Sequence, residues 1–475
     1  MAVLNLTKFF IYRWRYIIGY TTIGLLLAGL LVFAGLYVPG GISAEEMRAT
    51  VQSDSLSFSD PTTFAITNLP YYLLQLGIFH LFGVYDFTIK LPSLILALVS
   101  AVGLILLLRR WFKPNIAVLA SLIAITTGQF LFVAQNGTPS ILYIFWPVVL
   151  LLIGTQITRK KRLRFFWKIL FAISAALSLY TPLSIYPLLA ILVATILHPH
   201  LRHAVRQLSK AKLTVALIVA FITIAPLGYI LYTAPLVGLT LLGFPGEWPN
   251  IVENLNTIVH QYFIFWEPST TTLMTPVFGL GSVLILGLGL YRLIRTRETT
   301  RSYLIIGWLI CLLPIIILNP GFTTVAFVPS VLLLAAGLTS LITYWYRLFP
   351  RNPYARIAGL IPLVILVVVL IGSGLDRFIY GYHYDPNTAI NFSKDLKLIP
   401  KDTKVLVVAP DEVEFYTAVS HYREGMGVTQ QASGDQFVAT RQAKSDFEGY
   451  TIDRIITTTY SQNSDRLYVY KKVSQ

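Results

Sequence analysis

Long apolar runs separated by short polar stretches recur along this chain of 475 residues. The hydrocarbon core of a bilayer is about 30 Å thick, so a helix that crosses it needs roughly 20 mostly apolar residues. Eleven such runs lie at 17–38, 89–108, 116–134, 140–157, 169–182, 184–198, 213–233, 275–291, 303–319, 324–345 and 358–376. The pattern therefore predicts an all-α polytopic membrane bundle of eleven transmembrane helices.

Two loops between the predicted spans are long, at 38–88 and 235–275. The first contains an apolar run from Pro70 to Phe82 that is too short to cross a bilayer. A run of that length and composition predicts a helix lying in the membrane interface. The fifth and sixth predicted spans are short and follow one another closely, so we expect a tight turn between two helices that do not fully cross.

The pattern changes near residue 384, where the long apolar runs end. Four elements are predicted beyond this point: strands at 404–409, 454–458 and 466–470, and a helix at 410–422. We therefore expect a transmembrane domain at 1–380, which includes both long loops, and a small α/β domain at 384–475. The latter has no metal-binding cysteine pair, glycine-rich phosphate loop or nucleophile elbow, so we assign it no chemistry.

The charges indicate how the chain is oriented. Only 12% of the residues are charged, about half the usual fraction for a soluble protein, yet the net charge is +15. Most basic residues lie in six clusters, at 8–15, 109–113, 159–168, 202–212, 292–301 and 347–356, which alternate with loops almost free of them. This distribution argues against a nucleic-acid-binding surface. By the positive-inside rule it predicts a plasma-membrane protein with a cytoplasmic N-terminus and an extracytoplasmic C-terminal domain.

Two adjacent carboxylates, Glu45 and Glu46, follow the first predicted span, in a chain without any Asp or Glu between Asp86 and Glu247. Three interpretations stay open for this pair. The acids could be solvated residues that favour the start of a short helix. One could act as a general base that deprotonates an acceptor hydroxyl beside a lipid-linked donor. The pair could also bind a metal, although two adjacent acids without His or Asp partners make a poor site.

The residues around the pair follow a characteristic order. Gly40–Met47 precedes Asn68-Leu69-Pro70-Tyr71-Tyr72, and then comes Phe82-Gly83-Val84-Tyr85-Asp86-Phe87-Thr88-Ile89-Lys90-Leu91-Pro92-Ser93. Over residues 38–110 this order resembles the start of the GT-C membrane glycosyltransferases, in particular the protein-mannosyltransferase and aminoarabinose-transferase group. The resemblance implies a GT-C-like fold and inverting transfer of a sugar from a polyprenyl-phosphate donor. The implied acceptor is a protein, lipid or glycan at the cell surface, not a nucleic acid.

The resemblance also implies roles for individual residues. Glu45 corresponds to the catalytic carboxylate, and Glu46 supports it or contacts the acceptor. Lys90 matches a basic residue of the family at headgroup depth, and with Arg48 it is a candidate for binding the lipid phosphate. The remaining candidates for the substrate-binding cleft are Asn68, Tyr71, Gln135 and Asn136. No cofactor is certain, and a divalent cation stays open.

The sequence departs from the family at two of these positions. Gln135 stands where the family usually has an Arg followed by an acid, and Glu45 is one methylene longer than the usual Asp. A catalytically inactive protein that binds lipid-linked sugar or acts as a scaffold is therefore the alternative. A flippase or transporter for such lipids is a third possibility, but it would usually carry ionisable residues within the bundle, where this chain has almost none.

Overall fold

The computed structural model describes residues 10–37, 41–159, 164–206, 210–265, 277–349, 353–457 and 465–473. Parts of both long predicted loops, residues 38–40 and 266–275, lie outside the described residues. Within those residues the chain forms nineteen α-helices and one five-stranded sheet.

The helices of the first half, which form most of the functional site, are α1 (Phe10–Tyr37), α2 (Ala44–Asp54), α3 (Leu69–Phe82), α4 (Asp86–Trp111), α5 (Pro114–Ile125), α6 (Gly128–Gln135), α7 (Leu142–Arg159), α8 (Arg164–Ser178), α9 (Ile185–Leu197) and α10 (Pro199–Arg206). The second half contains α11 (Lys210–Thr233), α12 (Leu236–Leu242), α13 (Ile251–Phe263), α14 (Leu280–Arg295), α15 (Thr300–Leu318), α16 (Phe327–Leu348), α17 (Pro353–Asp376), α18 (Pro386–Asn391) and α19 (Val413–His421). A π-helical stretch, Arg377–Tyr382, continues α17.

Among the described residues, six helices are long and apolar enough to cross a membrane, or seven if the bent pair α5–α6 forms one span. The six spans are Asp86–Trp111, Pro139–Thr158, Ala211–Thr233, Thr300–Leu318, Thr323–Leu348 and Ala358–Tyr382. The structure does not confirm the predicted count of eleven. The helices α8 and α9 have 15 and 13 residues, and α14 has 16, which is short for a perpendicular crossing.

The predicted span at 116–134 is broken. Its two halves, α5 and α6, meet at an angle of 59°. The Thr126 and Thr127 side chains turn back onto carbonyls of α5, and Thr127 also caps α6 by accepting the Phe130 N–H. Hydroxyls that compete for backbone hydrogen bonds favour helix ends over helix interiors, so this pair ends one helix and starts the next. Because of this bend, Gln135 at the end of α6 lies beside Lys90 of α4.

The strands are β1 (Val405–Val407), β2 (Gly427–Thr429), β3 (Gln436–Thr440), β4 (Tyr450–Thr457) and β5 (Arg466–Lys472). Their order in the sheet is β2-β1-β3-β5-β4. β1 pairs in parallel with β2 and β3, whereas β5 runs antiparallel to β3 and β4. The strands predicted at 404–409, 454–458 and 466–470 correspond to β1, β4 and β5, although residue 458 lies outside the described residues, and β2 and β3 were not predicted.

The C-terminal region, residues 394–473, shares a core with the helical bundle. Phe79 of α3 and Ile89 of α4 belong to one buried cluster with Leu406 of β1 and Phe415 of α19. Burial of apolar side chains stabilises by about 25 cal/mol per Å², so this shared core holds the sheet against α3 and α4. The contact places the sheet at the end of the bundle where α2 begins.

Candidate functional site

A capping box fixes the start of α2. The Ser43 hydroxyl accepts the Glu46 N–H at 3.2 Å, and Glu46 Oε2 accepts the Ser43 N–H at 2.8 Å. This reciprocal arrangement satisfies two backbone donors that a helix start would otherwise leave unpaired. It also turns the Glu46 side chain back toward the protein, whereas Glu45 on the preceding position is exposed.

Glu46 is the centre of a buried polar cluster. Its side chain is fully buried, and Oε1 lies 3.1 Å from the ammonium of Lys90, which is 2% exposed. The same oxygen accepts the Gly137 N–H at 2.6 Å. The Lys90 ammonium also donates to Gln135 Oε1 at 3.2 Å, and it lies 5.3 Å from the ring centre of Phe392. A buried ion pair needs close hydrogen-bonding partners, because the free-energy cost of removing each ion from water is high.

Gly137 approaches Glu46 closely enough that a side chain there would clash. A Cβ at this position would lie 2.7 Å from the Ile89 carbonyl oxygen and 3.1 Å from Glu46 Oε1. We expect Gly137→Ala to lower the free energy of unfolding by about 1–3 kcal/mol through overpacking. Thermal unfolding in detergent checks this, with Gly77→Ala as control because a Cβ at Gly77 meets no atom within 4 Å. Equal stability of the two variants would contradict the prediction.

A second set of hydrogen bonds fixes α3 beside this cluster. The fully buried Tyr71 hydroxyl lies 2.9 Å from Ser93 Oγ, which donates to the Thr138 carbonyl at 3.2 Å. Gln75 Nε2 donates to the Ile89 carbonyl at 3.0 Å, and its Oε1 accepts the Ser53 hydroxyl at 2.6 Å. Burial is the main cause of a raised pKa at Tyr71, so its hydroxyl stays protonated. Tyr71 thus holds α3 to α4 and to the loop after α6.

Four buried side chains, three of them residues singled out in the sequence, each have a polar atom without a hydrogen-bond partner in the described part of the chain. They are Asn68 Oδ1, Gln135 Nε2, Asn136 Oδ1 and the Tyr382 hydroxyl. The Tyr382 hydroxyl and the Gln135 amide lie close enough to interact, but their geometry does not meet the criteria for a hydrogen bond. Asn68 begins α3 with a left-handed backbone (φ 58°), a conformation that asparagine tolerates better than most residues. Unpaired buried amides and hydroxyls are costly, and a polar ligand would satisfy them.

Glu45 and Arg48 are the exposed charges of the site. They lie three residues apart on α2, which places them on the same face of the helix. Their side chains form no hydrogen bond or ion pair with any other residue that the structure describes. Both are therefore accessible from outside the protein.

The structure brings together Glu46, Lys90 and Gln135, three of the residues singled out in the sequence, by direct contact. Glu45 and Arg48 lie on the same short helix as Glu46 but outside this cluster. Sequence reasoning missed Ser43, Gly137 and Phe392. Ser43 could have been found, because Ser43-Ala44-Glu45-Glu46 has the spacing of a capping box. The other two contact the site through the fold alone.

The donor set does not fit a resident metal ion. Both carboxylate oxygens of Glu46 already accept hydrogen bonds, so Glu45 is the one carboxylate of the pair that could coordinate a cation. Within the described ranges, no group of three or more His, Cys, Asp or Glu side chains has the arrangement of a metal site.

Comparison with known proteins identifies the fold. The sequence model of the family described as dolichyl-phosphate-mannose-protein mannosyltransferase matches residues 68–230. The crystal structure of ArnT from Cupriavidus metallidurans bound to undecaprenyl phosphate superposes with a TM-score of 0.56 and 11% identity, over 97% of this chain and 99% of that one. The resemblance to the GT-C membrane glycosyltransferases is confirmed.

A second GT-C structure extends the comparison. The Archaeoglobus fulgidus oligosaccharyltransferase tethered with an acceptor peptide superposes with a TM-score of 0.52 and 13% identity, over 86% of this chain and 64% of that one. No curated protein sequence matches the chain. At these identities, the likeness to solved structures shows a shared GT-C fold.

Proposed function

We propose that this protein transfers a monosaccharide from a polyprenyl-phosphate carrier to an acceptor hydroxyl at the outer cell surface, with inversion. The observation that carries the proposal is the exposed Glu45 beside the buried Glu46–Lys90–Gln135 cluster, within a GT-C fold. A related fold binds undecaprenyl phosphate in ArnT, and another holds an acceptor peptide in the oligosaccharyltransferase. Both support the proposed classes of donor and acceptor.

In the proposed reaction, Glu45 acts as the general base. Its carboxylate takes the proton of the acceptor hydroxyl while that oxygen attacks the anomeric carbon from the face opposite the phosphate. The bond between the anomeric carbon and the phosphate oxygen breaks, and the lipid phosphate leaves with the electron pair. Because phosphate is a good leaving group, the step requires no general acid. One displacement inverts the anomeric configuration.

We propose that Arg48 and Lys90 stabilise the leaving phosphate. Arg48 is exposed and has no partner in the residues that the structure covers, so its guanidinium is available for bidentate contact. Lys90 has three ammonium donors, of which Glu46 and Gln135 accept two. The third donor has no oxygen acceptor in the described residues, and we propose that it binds the phosphate beside the ring of Phe392.

The unpaired amides suit a sugar. Asn68, Gln135 and Asn136 each present a buried polar atom without a partner in the described ranges, and sugar hydroxyls both donate and accept hydrogen bonds. We propose that these side chains and Tyr382 bind the transferred sugar, while Tyr71 fixes the helix that carries Asn68. Glu46 supports the site by orienting α2 and Lys90.

The proposed topology keeps eleven membrane passages in the plasma membrane. The six spans supply six of them, and α1, the bent pair α5–α6 and the short helices α8, α9 and α14 supply the other five. The N-terminus lies in the cytoplasm. The transmembrane domain at 1–380 carries the site on its outer side, and the α/β domain at 384–475 is extracytoplasmic. The distribution of basic clusters supports this orientation.

A transfer assay tests the proposal. Membranes containing the full-length protein are supplied with radiolabelled polyprenyl-phosphate sugars and with cell-envelope acceptors. We expect label to move from the organic-soluble lipid to the acceptor, and membranes without the protein to give no transfer. Absence of transfer with a panel of hexosyl and pentosyl donors and with protein, lipid and glycan acceptors would contradict the enzyme proposal.

Gln135 favours one alternative, a protein that binds lipid-linked sugar without transferring it. The position has an Arg in the resembling family, and here the amide faces Lys90 instead. A binding measurement separates the two functions. Stabilisation by polyprenyl-phosphate sugar in a thermal unfolding assay, together with no transfer of label, would support the binding protein.

A further inference from the structure

A short segment links the C-terminal region to the candidate site. We call residues 392–396 the bridging segment. Its Lys394 pairs with Ile42, just before α2, because the Ile42 N–H donates to the Lys394 carbonyl at 2.7 Å and the reverse bond measures 3.4 Å. The Phe392 ring faces the Lys90 ammonium. The bridging segment therefore contacts both the chain that starts α2 and the cation that pairs with Glu46.

Gly41 allows this close approach. A Cβ at Gly41 would overlap the Phe392 carbonyl, and the Lys394 carbonyl oxygen would lie 3.1 Å away. A side chain at this position therefore has no space unless the bridging segment moves.

The other contacts of the bridging segment reach α4 and the sheet. The Leu396 N–H donates to Asp86 Oδ1 at 3.0 Å, and Asp86 is one helical turn before Lys90 on α4. The Lys394 ammonium pairs with the buried Glu412, whose second oxygen accepts the Thr440 hydroxyl at 2.6 Å. Three parts of the structure therefore meet at five residues: the start of α2, the start of α4 and the C-terminal sheet.

We propose that the C-terminal region positions the Glu46–Lys90 pair through the bridging segment, with Phe392 as a positioning residue. The Phe392 ring limits where the Lys90 ammonium can lie, and the Lys394 backbone fixes the entry to α2. The C-terminal region thus has a role in the site although it supplies no reacting group. The effect on transfer rests on the proposed function, whereas the effect on α2 does not.

The first test uses the space at Gly41 in the full-length protein. Gly41→Ala places a methyl group against the backbone of the bridging segment, at a position outside the sheet, and Gly77→Ala is the matched control. Amide hydrogen exchange is measured on peptides within 42–54. We expect exchange there to rise about tenfold in Gly41→Ala and to stay at the wild-type rate in Gly77→Ala, because local opening governs these amides. Unchanged exchange in Gly41→Ala would overturn the proposal, as would an equal rise along the whole chain.

The second test removes the ring over Lys90. Phe392 and Phe378 belong to the same buried aromatic cluster, but only Phe392 has a described contact with Lys90. We expect Phe392→Leu to lower kcat/KM for transfer about tenfold, given the usual strength of cation–π contacts, and Phe378→Leu to change it less than about threefold. Phe392→Tyr retains the ring and should restore activity to within about threefold of wild type.

The two tests separate the inference from the proposed function. Equal losses in Phe392→Leu and Phe378→Leu, or no rescue by Phe392→Tyr, would overturn the positioning role of Phe392. If the wild-type protein transfers no sugar, the proposed function fails, and hydrogen exchange at 42–54 in the Phe392→Leu and Phe378→Leu variants decides the inference in its place. A rise in Phe392→Leu alone supports it, and equal exchange overturns it.

Discussion

Glu46→Gln is expected to lower the free energy of unfolding by about 3–5 kcal/mol, the largest loss of stability from a single substitution at this site. The substitution leaves the buried Lys90 ammonium without a negatively charged partner, so that only neutral oxygens remain as acceptors. It also replaces a charged acceptor of the Gly137 N–H by a neutral one. Denaturant unfolding of the detergent-solubilised protein measures the loss.

Removing the charge at both Glu46 and Lys90 shows whether the loss of stability comes from an unpaired cation or from a general packing defect. The double variant Glu46→Gln/Lys90→Met leaves no unpaired ion, so we expect it to recover at least about half of the lost free energy. Glu45→Gln is the matched control, since the adjacent glutamate is exposed and its loss should leave stability close to that of wild type. If the double variant were less stable than Glu46→Gln, the ion pair would not be the source of the effect.

The sequence predicted the helical bundle well where apolar runs were long, and less well where helices bend or end early. A hydropathy pattern reports how many residues are apolar but not where a helix changes direction. It therefore did not predict the break at Thr126 and Thr127. Both residues are compatible with a continuous span by composition. Their side chains end the helix only because they bond to carbonyls of α5.

In the C-terminal sheet, too, the sequence pattern predicted some elements and not others. β5 could be predicted from an apolar run in which four consecutive residues are buried. None of the three residues of β2 is buried, and the apolar run of β3 has only three residues, 437–439, whereas β1 lies in the apolar run 405–409 that predicted it. Their pairing with β1 depends on residues that are more than 20 positions away in the sequence.

The sequence indicated which residues belong to the candidate site, but not which of them are buried and which are exposed. The scarcity of acids and the resemblance both indicated Glu45 and Glu46, and the order of motifs indicated Lys90. Which glutamate is buried depends on the Ser43 cap and on Gly137, a residue 91 positions from Glu46 in the sequence. Phe392 is still more distant along the chain. Contacts of this kind follow from the fold and leave no local pattern.

Glu45→Gln is expected to reduce sugar transfer by about 10³-fold while leaving stability unchanged, because positioned general bases typically contribute 10²–10⁴-fold to rate. Glutamine keeps the size and hydrogen-bonding capacity of the side chain but cannot accept the acceptor's proton. Glu45 suits this role because its carboxylate is exposed. In Glu46, by contrast, both oxygens already accept hydrogen bonds within the protein. Single-turnover transfer from labelled polyprenyl-phosphate sugar measures the loss.

Glu45→Asp provides the sharper comparison, because it restores the acid usual in the resembling family but withdraws the carboxylate by one methylene. If the site is built around the longer side chain, a displacement of about 1 Å at a reacting group should cost up to about 10²-fold in rate. Glu45→Asp would then retain more activity than Glu45→Gln but less than wild type. Full activity in Glu45→Gln would exclude Glu45 as the base and leave Glu46 as the remaining carboxylate of the pair. Because Glu46 would have to leave its ion pair to accept a proton, that outcome would also require the Glu46–Lys90 contact to open during turnover.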